Sequence, residues 1–178
     1  MKNEPIIAAV RQWVESFVVE LNLCPFAKRE LVKENVRFVA TPAANEEALL
    51  VALQDELLRM EADASIETTL LIHAEVLQDF YDFNDFLDIA DSLLVQMDLD
   101  GVYQIASFHP DYQFGGTEPD DAENYTNRSP YPVLHILRED SLEQAIDAYP
   151  DVDAIPERNI ALMNKLGIEK LQAMLTGK

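Results

Sequence analysis

Three short runs rich in apolar and β-branched residues lie at 35–41 (NVRFVAT), 67–75 (ETTLLIHAE) and 102–109 (VYQIASFH). Between them stand two segments of helical periodicity, NEEALLVALQDELLRMEA and DFNDFLDIADSLLVQMDLDG. Strand, helix, strand, helix, strand is the pattern of two successive βαβ units, whose right-handed crossovers lead to parallel strands. Asn45 suits the N-cap of the first of these helices, with acids following in its first turn, and Gly101 marks the stop of the second. A fourth run, PVLHILRE, follows a loop with no helix in it and is expected to return antiparallel. Helices flank this core: one from Pro5 to about Leu21, ended by Cys24-Pro25, then DSLEQAIDAY, a stretch from Pro156 to about Gly167, and a short helix from Ile168. The expectation is a single-domain α/β sandwich over residues 1–178, with a mixed sheet of about four strands, at least three of them parallel, and flanking helices.

Charge narrows the partners. The formal net charge is −20, and from residue 60 to residue 127 there is no Lys or Arg against sixteen Asp and Glu. Such a surface repels phosphate backbones and anionic lipid, so neither nucleic acid nor membrane is expected as a partner. No apolar run approaches the ~20 residues of a membrane helix. The start, MKNEPIIAAVRQW, lacks the layout of a signal peptide. A lone cysteine, Cys24, excludes an internal disulfide framework and fits a reducing compartment, so a cytoplasmic location is expected. No GxGxxG follows a strand and no GxxxxGK[ST] occurs, which removes the common nucleotide-cofactor motifs. Nothing in the pattern speaks to oligomeric state.

Chemistry concentrates in one stretch, FHPDYQFGGTEPDDAENYTNRSPYPVLH, which contains two of the three histidines. His73 and His109 fall at the carboxyl ends of the second and third strand runs, the edge where open α/β sheets bind ligands. The loop at 110–131 leaves from that edge, and loops of such length without secondary structure are often functional. His135 lies within the fourth strand. A histidine at a strand end is more often a hydrogen-bonded structural residue than a ligand, but three candidates near one edge give a catalytic or metal reading weight. His109 and His135 are the candidate acid–base residues. Asp111 is placed to orient His109, and Cys24 is a candidate nucleophile or, more ordinarily, a small buried hydrophobe. Arg128, the first cation after 68 residues without one, either neutralises its acidic neighbours or clamps an anionic group. Asn124, Asn127 and Tyr112 are candidate polar contacts, and Gly115 and Gly116 allow backbone to approach a ligand closely. His73, His109 and His135 form a candidate ligand set for a transition metal such as zinc, although no HxH, HExxH or CxxC is present.

The segments LNLCPFA, ETTLLIHAEVLQDFYDFNDFLD and QIASFHPDYQFGGTEPDDAENYTNRSPYPVLHILRE resemble an uncharacterised bacterial family, domain of unknown function 1415, over nearly the whole chain. One small departure is Phe114-Gly115-Gly116, where the family is expected to show Phe-Ala-Gly. The resemblance implies a compact cytosolic bacterial protein and transfers no activity.

Three functions compete on these residues. The first is an enzyme acting on a small polar or anionic molecule through a His-centred site, in which positioned acid–base catalysis contributes ~10²–10⁴-fold. The second is a metal-binding or metal-handling protein with His and Cys ligands. The third is a non-catalytic module that uses its acidic surface and Phe-rich helix to hold a partner protein.

Overall fold

The computed structural model describes residues 3–21, 23, 35–148 and 152–176. Its four strands are β1 (Val36–Ala40), β2 (Thr68–Ile72), β3 (Tyr103–Phe108) and β4 (Val133–Arg138), in the spatial order β1-β2-β4-β3. The expectation of at least three parallel strands does not hold. Only β1 and β2 pair in parallel, from Val36 against Thr68 to Ala40 against Ile72. The chain comes back from the end of β3 without a crossover helix, and β4 therefore slots antiparallel between β2 and β3. Those two strands still point the same way, so His73 and His109 do share an edge, with β4 between them.

The helices are α1 (Asn3–Trp13), α2 (Glu46–Ala62), α3 (Phe80–Gln96), α4 (Glu139–Ala148), α5 (Ile155–Leu166) and α6 (Ile168–Thr176). A π-helical turn, Val14–Val19, continues α1 where the sequence pattern predicted an uninterrupted helix. Alternation along the strands divides the core in two. Leu71, Leu134, Ile136 and Tyr103 face α2 and α3, packing with Leu53, Leu57, Phe83 and Phe86. Leu70, Ile72 and Val133 face the other way, into a cluster with Val10, Trp13 and Phe17 of the first helical segment, Met163 of α5 and Leu171 of α6. Every residue of β2 is buried, as a strand covered on both faces must be. Each large side chain buried this way contributes roughly 1.5–3 kcal/mol.

Local chemistry sets the ends of the helices. Asn45 Oδ1 accepts the Ala48 N–H at 2.8 Å, the expected N-cap of α2. Asp79 does the same for α3 through the Asp82 N–H at 3.1 Å. The end of α3 is a Schellman motif: Leu99 N–H returns to Leu94 O at 2.8 Å and Asp98 N–H to Val95 O at 3.1 Å, with Asp98 at φ 58°. Arg37 on β1 makes a two-toothed ion pair with the buried Glu56 of α2, at 2.8 and 3.3 Å, tying the edge strand to its helix. Among the described residues no helix is long and apolar enough to cross a membrane.

Candidate functional site

Two histidines clasp the turn between β2 and α3. His73 is fully buried, and its Nδ1 donates to the Val76 carbonyl at 3.0 Å, since a carbonyl only accepts. Its Nε2 is then an unprotonated lone pair, buried and without a partner. Burial lowers its pKa to about 4, against the opposing pull of the Val76 carbonyl and with some help from neighbouring His109. His109 donates from Nε2 to the next carbonyl, Leu77, at 3.1 Å, and its Nδ1 accepts the Asp111 N–H at 3.0 Å. Burial lowers its pKa as well, while the Leu77 carbonyl and the carboxylates of Asp111 and Asp79 push it back up. Both rings pack on Phe83, with centroids 5.4 Å and 5.2 Å away. Leu77 itself stands at φ 60°, a conformation that side chains other than glycine's rarely adopt.

In this arrangement both nitrogens of His109 are committed to backbone. Asp111 meets the ring through its main-chain N–H and not through the carboxylate that the sequence suggested, which acts on the ring only through charge.

His135 belongs to a different face. It pairs across β4 with Leu70 on one side and Ala106 on the other, and strand alternation turns it away from α3 toward the α1 layer. Its Nε2 lies 2.6 Å from Thr68 Oγ1, and that hydroxyl gives its own proton to the Ile136 carbonyl at 2.7 Å. The hydroxyl can therefore only accept from the imidazole, so Nε2 carries the hydrogen and Nδ1 keeps its lone pair. The side chain retains some accessible surface although protein surrounds the ring, and burial pulls its pKa to about 4. Phe108 packs beside it at 6.0 Å, and Trp13 meets the same Phe108 edge-on at 5.1 Å.

The sheet thus separates the three histidines into a pair and a single residue. Cys24 lies outside the described residues. Among the described residues no three His, Cys, Asp or Glu side chains are grouped to hold a metal ion.

The loop at 110–131 uses its polar groups on itself, and a 3-10 turn, Ala122–Asn127, interrupts what was expected to be irregular. Asn124 is fully buried: its Oδ1 accepts from the Phe114 N–H and the Thr117 hydroxyl, and its Nδ2 donates to Glu118 O. Asn127 Nδ2 donates to Ser107 O, fastening the loop to β3. Arg128 donates to the carbonyls of Tyr112 (3.0 Å) and Pro119 (2.8 Å) and lies over the Tyr125 ring. Tyr112 packs on Phe80 and Phe114. Gly116, at φ 81°, makes the turn that brings Thr117 N–H back to Phe114 O, and Gly115 precedes it in open space.

Two residues escaped the sequence reading. Thr68, the partner that fixes the tautomer of His135, looks like any β-branched strand residue. Trp13, part of an amphipathic helix, carries a buried indole N–H with no partner.

The chain belongs to the family described as Protein of unknown function (DUF1415), which matches residues 5–173. No curated protein and no solved structure matches it.

Proposed function

We propose that this protein is an enzyme acting on a small molecule, with His135 as its acid–base residue on the α1 side of the sheet. The observation that carries this reading is the relay from His135 Nε2–H through Thr68 Oγ1 to the Ile136 carbonyl. A fixed tautomer with one nitrogen anchored and the other keeping an acceptor lone pair is how a general base is prepared. Burial keeps the imidazole neutral at pH 7, so Nδ1 is free to accept a proton, and the same burial makes it a weaker base than a free imidazole. His109 has the opposite arrangement, with both nitrogens in use, and acts here as a structural residue.

The test is turnover of ester, amide and phosphoester model substrates by the full chain and two variants. His135→Gln is expected to lower any activity by about 10²–10⁴-fold. Thr68→Val, which removes only the anchor, is expected to lower kcat and alter its pH profile. Unchanged turnover in His135→Gln, or no turnover of any substrate by the parent protein, would overturn the assignment.

A further inference from the structure

A cleft of about 450 Å³ opens between α1, the two ends of the 110–131 loop and α6. We infer that it binds an uncharged, ring-bearing small molecule with an amide-like edge, a donor N–H beside an acceptor C=O. This goes beyond the histidine reading and does not depend on it.

Size and surface both suit a small molecule. Binding sites for small molecules run from ~300 to 1,000 Å³ and are walled mainly by apolar and aromatic groups. Here Trp13, Tyr131, Pro130 and Met174 supply such walls. The loop ends that frame the cleft are held by Asn127 and Arg128, so the cavity is formed before any ligand arrives.

The charge around the cleft selects against ions. In a chain with 13 basic and 33 acidic residues, no charged side chain is found among the described residues that line the cleft. An ionic ligand would leave water without a counter-charge, which is costly for either sign. An anion would also meet the field of the net −20 protein. The fitting ligand is neutral.

The polar groups on the wall select the hydrogen-bonding edge. Ser16 spends its hydroxyl proton on the Gln12 carbonyl at 2.6 Å, and Ser129 spends its own on the Tyr131 carbonyl at 2.6 Å. Ser129 is fully buried, so the exposed Ser16 hydroxyl is the one left as an acceptor toward the cleft, and the ligand must bring a donor. The Gln12 carboxamide, also on the cleft wall, has a donor and an acceptor to match an amide edge.

Trp13 is the only tryptophan in the sequence, so its indole N–H is a single resonance on the cleft wall. The experiment follows that resonance, and the backbone amides of residues 129 and 131, while the full-length protein is titrated separately with benzamide, benzoate and benzylamine. These probes share one ring and differ in charge. Benzamide is expected to give saturable shifts, with benzoate and benzylamine at least about tenfold weaker. Ala9→Phe, which fills the cleft, is expected to abolish the benzamide shifts. Gln12→Leu, at an exposed position that leaves the core untouched, is expected to weaken benzamide by about threefold or more. Saturable binding of benzoate or benzylamine as tight as that of benzamide would overturn the inference. So would an absence of saturable benzamide shifts, or benzamide shifts that persist unchanged in both variants.

Discussion

His109 and Leu77 are joined by a hydrogen bond from the imidazole Nε2–H to the backbone carbonyl, 3.1 Å long and spanning 32 residues of sequence. It holds Leu77 at φ 60° and, with the parallel bond from His73 to Val76, fixes the entry to α3. The same imidazole receives the Asp111 N–H and so also fixes the start of the long loop. One side chain thus sets both the β2–α3 turn and the β3–β4 loop.

His109→Ala is expected to cost about 2–4 kcal/mol, from two lost hydrogen bonds, two backbone groups left short of partners and the contacts with Phe80 and Phe83. Urea unfolding measures it. A loss below about 1 kcal/mol would show that turn and loop hold their shape without the clasp.

Acid is expected to destabilise the fold through His73 and His135, both pulled down to about 4. An unfolded histidine takes up its proton near pH 6.5. Between about 6.5 and about 4 the unfolded chain binds protons that the folded chain refuses. Stability is therefore fully present above about pH 6.5 and falls as pH drops through that window. The slope approaches ~1.4 kcal/mol per pH unit for each histidine. Unfolding curves at pH 7.5, 6 and 5 check this, and His135→Gln should flatten the slope. A stability that does not change over that range would remove the argument.

Asp98→Gly is expected to stabilise the protein by about 1 kcal/mol. Asp98 occupies the left-handed position of the Schellman motif, where glycine avoids the steric cost of a Cβ. The substitution also removes a negative charge from the negative end of the α3 dipole. Thermal unfolding gives the answer, and a lowered Tm would count against it.

Asn124→Ala and Arg128→Lys are expected to loosen the loop while sparing the sheet. Asn124 supplies three bonds to its own loop, and a lysine at 128 lacks the planar fork that reaches two carbonyls at once. Hydrogen exchange should rise at residues 112–128 by about tenfold or more, equivalent to ~1.4 kcal/mol, with β2 unchanged. Unaltered protection in the loop would contradict the structural role of both side chains.

Much of the architecture was legible because its causes are local. The Asn45 cap, the antiparallel return of the fourth run and the strand boundaries, each within two or three residues, follow from side-chain type and periodicity. The insertion of β4 was not legible, since pairing order depends on where a 22-residue loop delivers the chain. The same limit applies to the site. His73, His109 and Arg128 bond to carbonyls, which every residue has, and no side-chain pattern announces such a partner. Sequence spacing put three histidines near one edge; the parity of His135 along β4 moved it to the far face. Asp98 and Leu77 show a further gap, as left-handed backbone is easiest to foresee at glycine.

The place of β4 also bears on how the protein is made. Residues 36–108 carry three strands but form a sheet with its middle missing, because β2 and β3 meet only through β4. A ribosome must release the chain past residue 138 before the central ladder can close. Until then β2, apolar on both faces, and β3 lack the partner they will share. This is a topology of distant contacts, slow to assemble and open to mispairing along two unpaired strand edges during synthesis.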